Sequence, residues 1–109
     1  MIGARLYLLQ RLSALVMAPL VLGHLATMIY AVQNGLSAGE ILSRTQGSFF
    51  WGLFYGLFVM AVSIHAAIGL RIVLFEWGVL PLRRLDLFTW GAGLLLFLLG
   101  ARAIVAVVM

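Results

Sequence analysis

The sequence predicts an all-α membrane protein with three transmembrane helices and a cytoplasmic N-terminus. Its composition, three long apolar runs and the placement of its arginines support this prediction. The 109 residues are 65% hydrophobic and 9% charged, with a mean hydropathy of +1.20 and no cysteine. Soluble domains carry roughly 25% charged residues, so the composition excludes an ordinary water-soluble globule. Three spans and two short connectors fill the chain, and we therefore predict a single membrane domain over residues 1–109.

The first predicted helix covers about residues 12–32, where no residue is charged. About 20 apolar residues are needed to cross a bilayer core as a helix. The run is longer than a signal-peptide core and no clear small-residue cleavage site follows it, so we expect a retained helix. Asn34-Gly35 is predicted to end this helix. Ser37, Gly39 and Ser43 predict an irregular connector after it.

The second and third predicted helices cover about residues 49–75 and 87–108. The stretches 49–70 and 87–101 are both uncharged, and the third helix is expected to continue past Arg102. The sequence Glu-Trp-Gly at 76–78, followed by Pro81, is predicted to end the second helix. Asp86 is predicted to cap the N-terminus of the third, where the helix dipole favours an anion.

The arginines predict the orientation in the membrane. Five of the seven basic residues precede the first helix or lie between the second and third: Arg5, Arg11, Arg71, Arg83 and Arg84. The positive-inside rule therefore places the N-terminus and the 71–86 segment in the cytoplasm. No Arg- and Ser-rich presequence is visible, which favours a bacterial chain or a mature form, and we expect a multi-pass protein of a bacterial cytoplasmic (inner) membrane. The basic charge is interpreted as a patch for membrane lipid or an acidic partner, and not as a nucleic-acid surface.

His65 is the most informative residue because it lies inside an apolar span, where a polar group needs a partner. Gly69, one turn later, is expected to leave room for a flat ligand against the backbone. Arg71, at the membrane edge, could meet anionic groups of that ligand. A haem bound through the His65 imidazole, with its propionates near Arg71, accounts for all three residues. The alternative is a histidine that hydrogen-bonds a neighbouring helix.

His24 lies in the first predicted helix, 13 residues after Arg11. That separation is roughly 20 Å along a helix, which predicts a depth different from that of His65. The two histidines are therefore not expected to bind one iron. Two interpretations stay open for His24, namely ligation of a second haem and structural hydrogen bonding.

Polar side chains near the inner interface predict a quinone pocket. A quinone headgroup needs donors at its carbonyls and a proton source on reduction. Anchoring at the interface is the competing explanation for each residue. Arg11, Ser13 and Arg71 could contact quinone or haem propionates. Glu76 and Trp77 are assigned to the quinone pocket itself. Asp86 lies at similar depth.

Two short motifs carry a resemblance to a known family. The first is Gln-Arg-Leu-Ser-Ala at 10–14, and the second is Ile-His-Ala-Ala-Ile-Gly at 64–69, followed by Glu-Trp-Gly-Val-Leu-Pro-Leu-Arg at 76–83. With the three spans, they resemble a small membrane-anchor subunit of succinate dehydrogenase or fumarate reductase (respiratory complex II). The resemblance is nearer the hydrophobic anchor subunit than the cytochrome b556 subunit.

The resemblance implies a function and a set of partners. The family's haem b ligand corresponds to His65, and its arginine beside the propionates and quinone pocket corresponds to Arg11. The partners would be a second small anchor subunit, an iron–sulfur subunit and a flavoprotein subunit. The chain would then be part of a succinate:quinone oxidoreductase, with dicarboxylate chemistry confined to the flavoprotein. One haem, or two if His24 is a ligand, and quinone as substrate are implied.

The sequence departs from the family pattern at four positions in three places. Glu76-Trp77 replaces the frequent Asp-Tyr pair, whose tyrosine hydroxyl binds quinone, and an indole donates a hydrogen bond but cannot accept one. Gln10 stands where the cytochrome subunit has a histidine. His24 has no counterpart in the one-haem anchor, although its placement resembles that of first-helix histidines in the two-haem branch. The alternative functions are a haem-free tether for a peripheral enzyme and a small transporter or channel subunit.

Overall fold

The computed structural model describes residues 3–78 and 80–109 and consists there of four α-helices without strands. The helices are α1 (Ala4–Gln33), α2 (Ala38–Thr45), α3 (Phe49–Glu76) and α4 (Leu82–Val108). Helices α1, α3 and α4 are each long and apolar enough to cross a membrane. The all-α prediction with three transmembrane helices is therefore confirmed. Val79, in the second motif of the resemblance, and residues 1 and 2 lie outside the described residues.

Two helices begin earlier than the sequence predicted. Helix α1 begins at Ala4 instead of residue 12, and α4 begins at Leu82 instead of residue 87. The prediction followed apolarity, which marks the hydrocarbon core and not the end of the helix. Arginine and leucine favour helix, so both helices continue beyond their uncharged runs. At 30 residues, α1 is about 45 Å long, compared with a bilayer core of about 30 Å.

Helix α3 is the centre of the bundle, with α1 and α4 packed against it. Glycines allow this close packing. A Cβ at Gly23 would lie 3.2 Å from the Phe54 ring, and a Cβ at Gly100 would overlap the Val59 side chain. Large apolar side chains on the outer faces of α1 and α4 remain exposed, as is usual for helices that face lipid.

The connector between α1 and α3 was predicted to be irregular, but it contains the helix α2. Ser37 caps this helix by accepting a hydrogen bond from the Glu40 backbone N–H at 3.1 Å. The Glu40 carboxylate then pairs with Arg44 one turn later, at 2.6 Å. A Ser-x-x-Glu pattern is a recognised helix start, so the signal was present in the sequence.

The connector also holds the last turn of α4. The Thr45 hydroxyl is fully buried and donates to the Val107 carbonyl at 2.6 Å, while the Gly47 N–H donates to the Val108 carbonyl at 2.6 Å. The last carbonyls of a helix have no partner within the helix. Here the connector supplies donors for two of them.

Candidate functional site

His65 lies at the interface between α3 and α1. Its Nδ1 atom is 3.3 Å from the Ser13 hydroxyl oxygen. That hydroxyl donates to the Gln10 backbone carbonyl at 2.9 Å and is buried, with 6% of Ser13 exposed. His65 is partly buried, and its other ring nitrogen, Nε2, has no hydrogen bond to the described residues. One nitrogen is therefore engaged by α1 and the other is not.

Gly69 was expected to leave space for a flat ligand, and in the structure the Gln10 side chain of α1 lies near it. A Cβ at Gly69 would lie 3.5 Å from Nε2 of the Gln10 side chain. The Oε1 atom of Gln10 is buried and finds no hydrogen-bond partner in residues 3–78 and 80–109. The Gln10 amide therefore lies over Gly69 at a distance that an alanine there would also allow.

Arg71 is engaged by α4 and does not share the surroundings of His65. Its Nη2 atom lies 2.6 Å from an Asp86 carboxylate oxygen. Six residues along a helix turn the side chain by about 120°, so the two side chains project differently. The prediction that Asp86 caps the third helix was wrong, because α4 begins at Leu82 after Pro81 and Asp86 lies in its second turn. The Asp86 carboxylate instead forms an ion pair with the buried Arg71 guanidinium.

A cavity of about 460 Å³ adjoins this ion pair, between α3, α4 and the first turns of α1. Its surface is almost entirely apolar, with polar groups from Ser63, Thr89 and the ion pair. The Nη1 atom of Arg71 is buried and has no partner in the described part of the chain. The lining residues are Leu6, Leu9, Met60, Ser63, Ile64, Ala67, Ile68, Arg71, Asp86, Thr89, Trp90, Gly93, Leu94 and Phe97.

The other members of the predicted inner pocket lie apart. Arg11 is exposed, with its guanidinium carbon 5.7 Å from the centre of the Tyr7 ring. Glu76 and Trp77 are exposed where α3 ends, and Trp77 is 76% exposed. Arg71 is paired with Asp86. Among the described residues, no side-chain hydrogen bond or ion pair joins Arg11, Glu76 or Trp77 to this pair.

His24 packs on the other part of the α1–α3 interface. Its ring meets Phe58 edge-on at 5.2 Å and Tyr55 at 6.2 Å between centroids. On α1 it lies 11 residues after Ser13, the contact of His65, a separation of about 16 Å. A single metal ion therefore cannot contact both histidines in this structure.

Two contacts of the site were not predicted from the sequence. Gln10 was considered only as a departure from the family pattern, although a polar side chain one turn before Ser13 shares its helix face. The Arg71–Asp86 pair joins residues that were both candidates for the inner pocket. Their opposite charges near the adjoining ends of successive helices were the signal for a direct pair.

Comparison with known proteins gives one family. The family described as "Succinate dehydrogenase/Fumarate reductase transmembrane subunit" matches residues 1–107 of the 109. Comparison with curated proteins and with solved structures gives no match.

Proposed function

Because the chain belongs to the family of succinate dehydrogenase/fumarate reductase transmembrane subunits, we propose that it binds haem b through His65 and helps to form a quinone site. With a second small anchor subunit, it would hold the iron–sulfur and flavoprotein subunits at a bacterial cytoplasmic membrane. Its part in the reaction is the quinone side alone. Dicarboxylate chemistry belongs to the flavoprotein subunit.

The surroundings of His65 fit a haem ligand. An axial histidine typically uses one ring nitrogen for the metal and donates from the other to a polar group of the protein. His65 has this division, with Nδ1 near Ser13 and Nε2 without a partner among the described residues. When bound, haem b supplies a one-electron carrier within the membrane. Since His24 lies about 16 Å along α1 from Ser13, a second histidine or other residue that would hold the haem is proposed to come from the other anchor subunit.

Arginines near the same end of the bundle are proposed to serve the propionates. Arg11 is exposed and two residues before Ser13, so its guanidinium is available to anionic groups. Arg71 is a weaker candidate than the sequence suggested, because Asp86 already balances its charge. The fit of the haem therefore rests on His65 and Arg11 more than on Arg71.

The quinone site is proposed at the inner end of α3. Glu76 and Trp77 are exposed there, where neighbouring subunits can complete a pocket. Arg71, five residues earlier, lines the apolar cavity beside Asp86. A quinone needs donors for its carbonyls and an apolar surface for its ring and tail, and this end of the chain offers both.

Docking of the peripheral subunits is proposed on the same side. Arg5, Arg83 and Arg84 are exposed at the first turns of α1 and α4. The α3–α4 turn lies beside them, with Gly78 in a left-handed conformation (φ 64°) that ends α3 sharply. An acidic surface on the iron–sulfur or flavoprotein subunit would complement this group of arginines.

The observation that carries the haem assignment is the partly buried His65 ring, with one nitrogen near Ser13 and the other without a partner among the described residues. The test is His65→Ala in the complete complex, purified with its partner subunits. Loss of an axial ligand should abolish or strongly alter the low-spin haem spectrum. Leu70→Ala, a truncation on an exposed face of α3 outside the cavity, is the matched control and should keep the spectrum. A His65→Ala complex with the wild-type spectrum and full haem content would refute the assignment.

A further inference from the structure

We propose that Ser13 is a positioning residue that holds the His65 ring with its proton on Nδ1 and leaves the Nε2 lone pair free for iron. This inference rests on the proposed haem function. It also changes the role of Ser13, which the sequence suggested as a contact for propionates or quinone. In the structure, the hydroxyl is buried between Gln10 and His65.

The Ser13 hydroxyl contacts two polar atoms but has a single proton. A hydroxyl has one hydrogen to donate and two lone pairs to accept with. The Gln10 carbonyl lies 2.9 Å from Oγ and His65 Nδ1 lies 3.3 Å from it. The shorter contact takes the proton, because a serine in a helix commonly donates to a carbonyl one turn earlier.

The direction of the Ser13 hydrogen bond determines which nitrogen of His65 carries the proton. With its proton committed to Gln10, the Ser13 oxygen can only accept from His65. Nδ1 must then carry the hydrogen, and a neutral imidazole has only one, so Nε2 is unprotonated. Iron is bound by an unprotonated ring nitrogen. The α1 backbone thus selects, through one hydroxyl, the tautomer of a histidine that lies 52 residues away in the sequence.

Burial makes this selection effective. Ser13 is only 6% exposed and α1 packs closely here, with the Gln10 amide over Gly69. Water therefore competes poorly for the hydroxyl. The same bond restrains rotation of the ring, so Ser13 sets both the tautomer and the direction of Nε2.

The test uses the complete complex with Ser13→Ala, Ser13→Thr and Thr27→Val. Loss of a group that orients a ligand typically lowers metal affinity 10- to 100-fold, and we expect a loss of haem affinity in this range for Ser13→Ala. A less basic imidazole also favours the reduced iron, so the midpoint potential should rise. A tenfold change in the ratio of affinities for the two oxidation states is about 59 mV for one electron. Ser13→Thr keeps the hydroxyl and should restore both values.

Thr27→Val is the matched control. Thr27 also donates to a carbonyl within α1, that of Gly23 at 2.8 Å, but makes no hydrogen bond to His65. It should leave the potential and the affinity of the His65 haem unchanged. An unchanged potential and affinity in Ser13→Ala would overturn the positioning role while leaving ligation intact, and so would a Ser13→Thr variant that behaves like Ser13→Ala. Should Ser13→Ala fail to assemble, Ser13→Cys replaces it, with a smaller shift in the same direction expected from its weaker acceptor. Failure of His65 ligation is seen separately, in His65→Ala.

Discussion

Replacing Asp86 with alanine removes the partner of a guanidinium that is almost wholly buried. The Arg71 side chain is 10% exposed and that of Asp86 is 61% exposed, with 2.6 Å between Nη2 and Oδ1. Breaking a buried pair costs about 3–5 kcal/mol because the remaining charge has no partner. An exposed pair contributes only about 0–1 kcal/mol. Since one end of this pair is buried and the other is not, we expect Asp86→Ala to destabilise the protein by about 2 kcal/mol.

Replacing the arginine of the pair should destabilise the protein less than replacing the aspartate. Arg71→Leu leaves an Asp86 carboxylate that is already 61% exposed and can be hydrated, and it also removes a buried charge. We expect a cost of about 1 kcal/mol or less. The double variant Arg71→Leu/Asp86→Ala should resemble Arg71→Leu alone, because the carboxylate then has no charge to balance.

The measurement is the free energy of unfolding of the purified complex by denaturant, with all variants in the same detergent. Arg102→Leu, an exposed arginine without an ion pair among the described residues and outside the proposed docking group, is the control and should stay within about 0.5 kcal/mol of wild type. Equal losses for Arg71→Leu and Asp86→Ala would refute the reasoning, because the cost would then not come from an unpaired buried guanidinium.

Three further predictions concern packing, quinone and haem content. Gly100→Ala should destabilise the protein by about 1–3 kcal/mol through overlap with α3, whereas Gly91→Ala, with open space around it, should be neutral or stabilising. Equal unfolding free energies for the two variants would contradict that packing. Trp77→Phe should slow quinone reduction several-fold and leave succinate oxidation by a soluble acceptor intact, and parallel loss of both rates would instead indicate a role in assembly. If His24 ligates a second haem, the complex should contain two haems by pyridine haemochrome assay and lose one in His24→Ala, whereas one haem per complex, retained in His24→Ala, would make His24 a packing residue.

The transmembrane helices could be predicted because apolarity is a local property. The uncharged stretches at 12–32 and 49–70 need only be long enough to cross a bilayer, and the structure has a helix over each. The helix α2 could also have been predicted, from the capping pattern at Ser37 and Glu40. It was missed because the small residues Ser37, Gly39 and Ser43 suggested an irregular segment.

The contacts between helices could not be predicted in the same way. The Ser13–His65 contact depends on the register of α1 and α3, that is, on their relative position along the helix axes. This register cannot be read from a single sequence. The register follows from close packing such as that of Gly23 against Phe54. The Arg71–Asp86 ion pair could not be predicted either. The sequence placed the two charges at similar depth, but it did not show that their side chains face each other.

The bonds between the connector and the last turn of α4 have a consequence for biogenesis. The donors, the Thr45 hydroxyl and the Gly47 N–H, are synthesised about 60 residues before the carbonyls of Val107 and Val108 that they bind. During vectorial synthesis, these donors are therefore in place before the final helix crosses the membrane. A bare carbonyl entering apolar surroundings costs several kcal/mol. The connector thus presents its donors to the last turn of α4, so that α4 can complete its insertion without leaving those two carbonyls unbonded.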